Sequence, residues 1–333
     1  MLSTQAYTFD PRPDVPLALA VNRYWQADSP HANDPEAFTL VLAHATGFSK
    51  ELWEPVIEDL YAAGGLKIRD IWAVDAPNHG DSYIVNHAEL SWGYPVVRWE
   101  DYGRSIHAMI AGLGSGIDVD FSKRRVVAIG HSMGAGAFLL TTTLQPRLRY
   151  ESLILIEPMI LNQEGLGGVT FLAKGAVNRR DIWASKEEAY TLMKARKPWK
   201  FFDDRVLKLY ITHGLTSLPT AEYPDKTEGV TLKTPRRQEV ACFSDPNAAP
   251  RSYNIIGQMA QRLPIHMVYG GVDDYIPLKY QKDVTDNAAQ GRLASITRIP
   301  GAGHLAVQTH PTAVAHTLVD LINKSDSKAK PKL

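Results

Sequence analysis

Six short, almost uninterrupted apolar runs constrain the fold of this chain more than any other feature of its sequence. They are Phe38–Ala43 (FTLVLA), Asp70–Asp75 (DIWAVD), Arg125–Gly130 (RVVAIG), Ser152–Glu157 (SLILIE), Pro264–Tyr269 (PIHMVY) and Ser295–Ile299 (SITRI). A strand with one wet face alternates apolar and polar side chains, whereas a run apolar at nearly every position needs cover on both faces, as in a parallel sheet. The segments between the first runs supply that cover. Leu52, Trp53, Val56, Ile57 and Leu60 recur at helical spacing after Ser49. Trp99, Tyr102, Ile106, Met109, Ile110 and Leu113 form the apolar stripe of a second helix. Strand and helix in alternation predict an α/β fold with a doubly wound, mostly parallel sheet.

The alternation stops after Glu157 and resumes at Pro264, and the intervening hundred or so residues are too many for a simple connection. They contain helical patterns, one opening with the capping pair Ser185 and Glu188. The expected organisation is a core over residues 1–157, an inserted, mainly helical lid over 158–263, a second core part over 264–324 and a flexible tail over 325–333. With 36 basic and 36 acidic side chains, the chain lacks the charge bias of a nucleic-acid or membrane-surface protein. Its single cysteine, Cys242, excludes an internal disulfide and a cysteine-rich metal site. No run approaches the ~18 apolar residues of a membrane span, and no signal-peptide core follows Met1, so the reading is a soluble intracellular protein.

The chemistry concentrates at three turns. Gly130-His131-Ser132-Met133-Gly134 fits G-x-S-x-G directly after an apolar strand and before a small-residue helix. Such a turn lifts Ser132 above the sheet, and the free N–H groups of the helix start face the nucleophile. In LVLAHATGFSKELW, the small-residue turn after the first run leaves the Thr46 N–H free to pair with that of Met133 as an oxyanion hole. His44 and Gly47 shape this turn. In IPGAGHLAVQTHP, His304 lies after the last strand and can serve Ser132 as base and then acid. His131 and His79 read as turn or packing residues, and His310 as a surface one. Two places compete for the acid that orients His304. Asp273 and Asp274 follow the strand Pro264–Tyr269, and Glu157 ends the strand before it; Asp273 is preferred over Glu157, with Asp274 third.

These features together resemble the α/β-hydrolase superfamily over Phe38–Pro158 and Pro264–Asn323. Val74–Ser82 (VDAPNHGDS) is similar to that family's D-x-x-G-H-G-x-S loop with Asn78 in place of the first glycine, and Asp273 to Pro277 is similar to its G-x-x-D-x-x-x-P. The resemblance implies a serine hydrolase acting on a small-molecule ester or thioester without metal or organic cofactor, and places Asp273 rather than Asp274 as the acid. Relatives with the acid after the sixth strand, among them haloalkane dehalogenases and a fungal peroxisomal acyl-CoA hydrolase, keep Glu157 in contention. The alternative function is a non-hydrolytic binding protein or cyclase on the same fold. Pro331-Lys332-Leu333 resembles the peroxisomal S-K-L address, which implies an import receptor as partner and a peroxisomal rather than cytoplasmic location. Residues 171–210 hold ten Lys or Arg and five acids, a surplus that suits either a solvated helix face or a phosphorylated leaving group such as coenzyme A. Trp183, Trp199, Phe201 and Phe202 suggest an apolar acyl pocket.

Overall fold

A computed structural model of the chain describes residues 2–92 and 96–329. Its centre is an eight-stranded sheet: β1 (Leu2–Phe9), β2 (Leu19–Gln26), β3 (Phe38–Ala43), β4 (Ile68–Val74), β5 (Arg125–His131), β6 (Ser152–Ile156), β7 (Ile265–Gly270) and β8 (Ser295–Ile299). The spatial order is β1-β2-β4-β3-β5-β6-β7-β8. Every pairing from β4 to β8 is parallel, and the pairings of β2 with β1 and with β4 are antiparallel, so β2 alone runs against the other strands. The six apolar runs are the six parallel strands. The antiparallel β1–β2 ribbon has no counterpart in the sequence reading, because Leu2–Phe9 carries mostly half-buried and exposed residues and lacks an apolar run.

Side-chain alternation divides the core into two layers, as the pleat of a strand requires. From β5, Val126 and Ala128 face one layer while Val127 and Ile129 face the other; from β6, Leu153 and Leu155 oppose Ile154 and Ile156. The first layer is completed by α3 (Trp99–Ala111) and α4 (Met133–Thr141), the second by α1 (Glu54–Ala63) and the long terminal helix α10 (Pro311–Ala329). Residues 325–329, expected to be tail, continue that helix, and Pro331-Lys332-Leu333 lie outside the described residues. No helix among the described residues is long and apolar enough to cross a membrane.

The segment between β6 and β7, the expected lid, carries a hydrophobic cluster of its own. It comprises α5 (Phe171–Asn178), α6 (Lys186–Lys194), α7 (Asp204–Gly214) and α8 (Arg236–Phe243), and three short strands, Ile182–Trp183, Leu215–Ser217 and Val230–Leu232, in a small antiparallel sheet. Ser185 caps α6 by accepting from the Glu188 N–H at 3.2 Å, as its sequence predicts. Trp183, Met193, Val206, Leu207 and Tyr210 bury against one another and against Leu52 of the core. Helix α9 (Ala248–Met259) belongs to the main core, where Ala248, Ala249, Ile256 and Met259 are buried.

Candidate active site

The turn at Ser132 is built by steric exclusion. Ser132 sits at φ 54° and ψ −112°, between the end of β5 and the start of α4, a conformation that L residues avoid unless their surroundings enforce it. The enforcement comes from the flanking glycines. A Cβ on Gly130 would lie 2.5 Å from the Ala135 backbone, and one on Gly134 would lie 2.4 Å from the carbonyl oxygen of Ala43 on β3. Helix and sheet therefore meet with no side chain between them. The Ser132 N–H continues the sheet by donating to the Ile156 carbonyl at 2.9 Å, and its hydroxyl projects beyond the strand ends.

His304 meets it there. The Ser132 Oγ lies 3.1 Å from His304 Nε2, and His304 Nδ1 lies 3.3 Å from Glu157 Oε2. All three residues are buried. This arrangement has Nδ1–H donating to the carboxylate and leaves Nε2 as acceptor for the serine proton. Glu157 is itself in the left-handed region at φ 45°, its N–H donates to Val268 O at 2.7 Å, and its Oε1 accepts from the Gly270 N–H. The other carboxylate oxygen is thus aimed at the imidazole.

Asp273, the preferred acid of the sequence reading, does not contact His304. It is exposed and accepts from the Leu278 N–H at 3.0 Å, a local turn bond after β7. Asp274 acts on the backbone: both its oxygens accept from the His304 N–H at 3.0 Å. Gly303 makes room for it, since a Cβ there would fall 2.1 Å from Asp274 Oδ2. On the other side of the loop, His131 Nε2–H donates to the His304 carbonyl at 2.8 Å. The sequence reading missed this pair of backbone clamps, and local spacing carries no signal of them. His310 is half-buried, its Nδ1 2.8 Å from the Thr309 hydroxyl.

The side chains of Thr46 and Met133 touch at 3.3 Å from Oγ1 to Sδ. Neither backbone N–H has an acceptor among the described residues. The loop carrying Thr46 is held by buried neutral imidazoles. His44 Nε2 accepts from the Ala76 N–H at 2.9 Å while its Nδ1–H donates to Ala45 O, and His79 Nε2 accepts from the Gly47 N–H at 3.0 Å. Asn78, the departure from the family loop pattern, holds His79 through Oδ1 at 2.8 Å and donates to Gln238 of α8 at 3.1 Å, tying the loop to the lid.

Above Ser132 lies a cavity of about 460 Å³, walled by Leu166, Val169, Leu172, Trp199 and Phe202 among others, with Thr46, Ser132 and His304 on its floor. Trp199 and Phe202 thus serve the pocket, whereas Trp183 is buried in the lid and Phe201 is exposed. One charged pair intrudes on the apolar wall: Arg179 bonds to Glu239, whose carboxyl is pushed up by burial although Arg179 pulls it down.

The alpha/beta hydrolase family pattern matches residues 40–317, most of the chain and all of the site. The chain belongs to this family. Among curated proteins, the chain is similar to the type I acyl-CoA thioesterase mpaH of Penicillium brevicompactum, with 33% identity over 225 residues covering 62% of the chain and 49% of the relative. It is also similar to the peroxisomal membrane protein LPX1 of Saccharomyces cerevisiae, with 36% identity over 132 residues covering 38% and 32% respectively. The chain spans about half the length of the thioesterases it matches. Among solved structures, the peroxisomal alpha-beta-hydrolase Lpx1 of Saccharomyces cerevisiae superposes with a TM-score of 0.75 at 23% identity, covering 100% of this chain and 91% of that one. That likeness concerns the fold.

The buried histidines set the acid response of the fold. Burial pushes His44 down to about 4 and His131 down to about 3, and depresses His79 well below its ordinary range. Between the ordinary imidazole value near 6.5 and these depressed values, the unfolded chain binds protons that the folded chain refuses. Stability therefore falls as pH falls through that window. Asp75, Glu239 and Glu54, carboxyls raised by burial, act in the opposite sense and offset part of this loss. Urea denaturation at pH 7 and pH 5.5 is expected to show a loss of roughly 2–4 kcal/mol at the lower pH. Equal stability at both values would contradict the buried neutral histidines.

Proposed function

We propose that this chain is a serine hydrolase that cleaves an ester or thioester through an acyl-enzyme on Ser132. In this reading the Ser132 Oγ attacks the substrate carbonyl and its proton passes to His304 Nε2. Glu157 holds the imidazole in the Nδ1–H tautomer and stabilises the imidazolium. The Thr46 and Met133 N–H groups bind the oxyanion, where one such donor is typically worth about 3–4 kcal/mol in the transition state. His304 then protonates the leaving alcohol or thiol, and a water activated by the same imidazole releases the acid. The observation that carries the reading is the continuous chain Ser132 Oγ, His304 and Glu157 at 3.1 and 3.3 Å, which favours hydrolysis over a role as a non-hydrolytic binding protein or cyclase.

The Penicillium relatives, named as acyl-CoA thioesterases, support a thioester substrate, and the apolar cavity supports an apolar acyl group. The yeast relative, named as peroxisomal, supports import into that organelle through Pro331-Lys332-Leu333. On this reading, deleting Lys332-Leu333 moves a fluorescent fusion of the chain from peroxisomes to the cytosol; punctate signal after the deletion would exclude the tripeptide as the address.

Hydrolysis rates of three variants test the catalytic assignment. Ser132→Ala is expected to lose activity by on the order of 10⁴-fold or more, and Glu157→Gln by on the order of 10³–10⁴-fold through the wrong imidazole tautomer. Asp273→Asn should stay within about threefold of the parent, because its only bond is to a turn N–H. A larger loss in Asp273→Asn than in Glu157→Gln would return the acid to the position after β7.

A further inference from the structure

The lid carries a second cavity, of about 270 Å³, that shares Arg179, Lys197 and Trp199 with the catalytic one. Beyond that common wall it is lined by Arg180 and Arg196. Four cations around one small cavity repel one another, and their counter-charges are incomplete. Arg179 is held by Glu239, and Arg180 by Glu188 at 3.0 Å. Arg196 and Lys197 have no carboxylate partner among the described residues; Lys197 reaches only the Phe201 ring, 5.6 Å away. A neighbouring lid cavity of about 340 Å³ provides the contrast. It too has two arginines, but Arg236 is paired with Asp181 at 2.8 Å and Arg237 with Glu222 at 2.6 Å. Of these two lid cavities, the one adjoining the catalytic pocket keeps unneutralised positive charge.

The cations are also prepared for a ligand to different degrees. Arg179 is fixed in place: it bonds to Glu239, and its charge faces the Tyr210 hydroxyl. A guanidinium so restrained presents its remaining N–H groups in a set direction, which suits the planar, multi-oxygen face of a phosphate. Arg196 and Lys197 stand exposed at the outer edge and can close on an anion without first breaking an ion pair. Trp199 borders both cavities and offers an apolar surface between the floor at Ser132 and the charged rim.

We propose that this cavity, between Arg179, Arg180, Arg196 and Lys197, holds the phosphate groups of the leaving thiol, a phosphorylated nucleotide–pantetheine of the coenzyme A type. The assignment rests on the serine-hydrolase reading and divides the substrate between the two cavities. The acyl chain fills the apolar pocket over Ser132, and the thiol arm leaves past Trp199 toward the cations. Phosphate oxygens supply the counter-charge that Arg196 and Lys197 lack.

The test compares an acyl-CoA with its N-acetylcysteamine thioester, which keeps the same acyl group and thioester but lacks the phosphates. The parent chain is expected to show at least about a tenfold lower KM for the acyl-CoA in low salt, and 0.5 M NaCl should erode most of that advantage. The double variant Arg196→Gln/Lys197→Gln is expected to raise KM for the acyl-CoA about tenfold with kcat within about twofold, leaving the ratio of the two substrates near one. Lys226→Gln, the loss of a single positive charge at an exposed lysine outside both cavities, should leave that ratio at the parent value. Calorimetric binding of adenosine 3′,5′-bisphosphate needs no turnover and should weaken by the same factor in the double variant. Unchanged KM and bisphosphate affinity in the double variant would overturn the assignment while leaving hydrolysis at Ser132 intact. Recruitment to phosphatidylglycerol vesicles through Arg196 and Lys197, with no bisphosphate binding, would also overturn it and give the cations to a lipid surface. A parent chain that binds the bisphosphate but cleaves neither thioester would keep the phosphate site and sink the hydrolase reading.

Discussion

The site depends on one close approach, the contact of α4 with the ends of β3 and β5. A single methyl at Gly134 would collide with the Ala43 carbonyl, and one at Gly130 with the backbone of the helix it precedes. Because nothing larger than hydrogen separates them, the helix starts directly over the sheet and Ser132 is held at φ 54°. Two consequences follow from the same geometry. The serine hydroxyl is raised clear of the strands toward His304, and the Met133 N–H, first in the helix and without an intrahelical acceptor, is brought beside the Thr46 loop. The Ser132 hydroxyl and the Met133 N–H, the proposed nucleophile and oxyanion donor, are thus placed by backbone packing.

The remaining groups reach Ser132 along neighbouring strands, each oriented by at least two bonds. Glu157 leaves β6 in a left-handed conformation and spends one oxygen on the Gly270 N–H, which directs the other to His304. The His304 loop is gripped from both sides, by Asp274 at its N–H and by His131 at its carbonyl. The Thr46 loop is held by His44 and His79, and His79 connects through Asn78 to Gln238 in the lid. These imidazoles can serve as fixed acceptors and donors because burial keeps them uncharged. The lid is accordingly joined to the oxyanion loop by hydrogen bonds as well as by apolar packing, with Phe48 meeting Trp199, Phe202 and Tyr210.

What was legible in the sequence follows the range of the interactions involved. The six parallel strands, the elbow and the identity of the histidine are written in local patterns: apolar runs, glycines flanking Ser132, and a small-residue loop around His304. The β1–β2 ribbon was not, because a sheet edge with mixed burial leaves no continuous apolar run. The acid could not be chosen locally either. Glu157 and Asp273 both stand at strand ends, and only the three-dimensional direction of their side chains separates them: Glu157 turns inward through its positive φ, while Asp273 stays exposed and caps its own turn. His131 and Asp274 are further from the reach of sequence patterns, since each acts on a backbone group that only the tertiary fold brings near. Helix α9 has the composition of a lid helix, and its membership of the main core depends on its contact with α4.

The central claim is that the packing of β5 and α4, with His304 and Glu157 behind it, makes Ser132 a nucleophile while the rest of the chain's hydroxyls stay inert. Reaction of the folded protein with a fluorophosphonate, followed by intact-mass measurement and peptide mapping, tests it most directly. The account predicts one adduct per chain, on Ser132, that forms only in the native state and is lost when urea unfolds the elbow. An unlabelled native protein, or an adduct on any other residue, would contradict it.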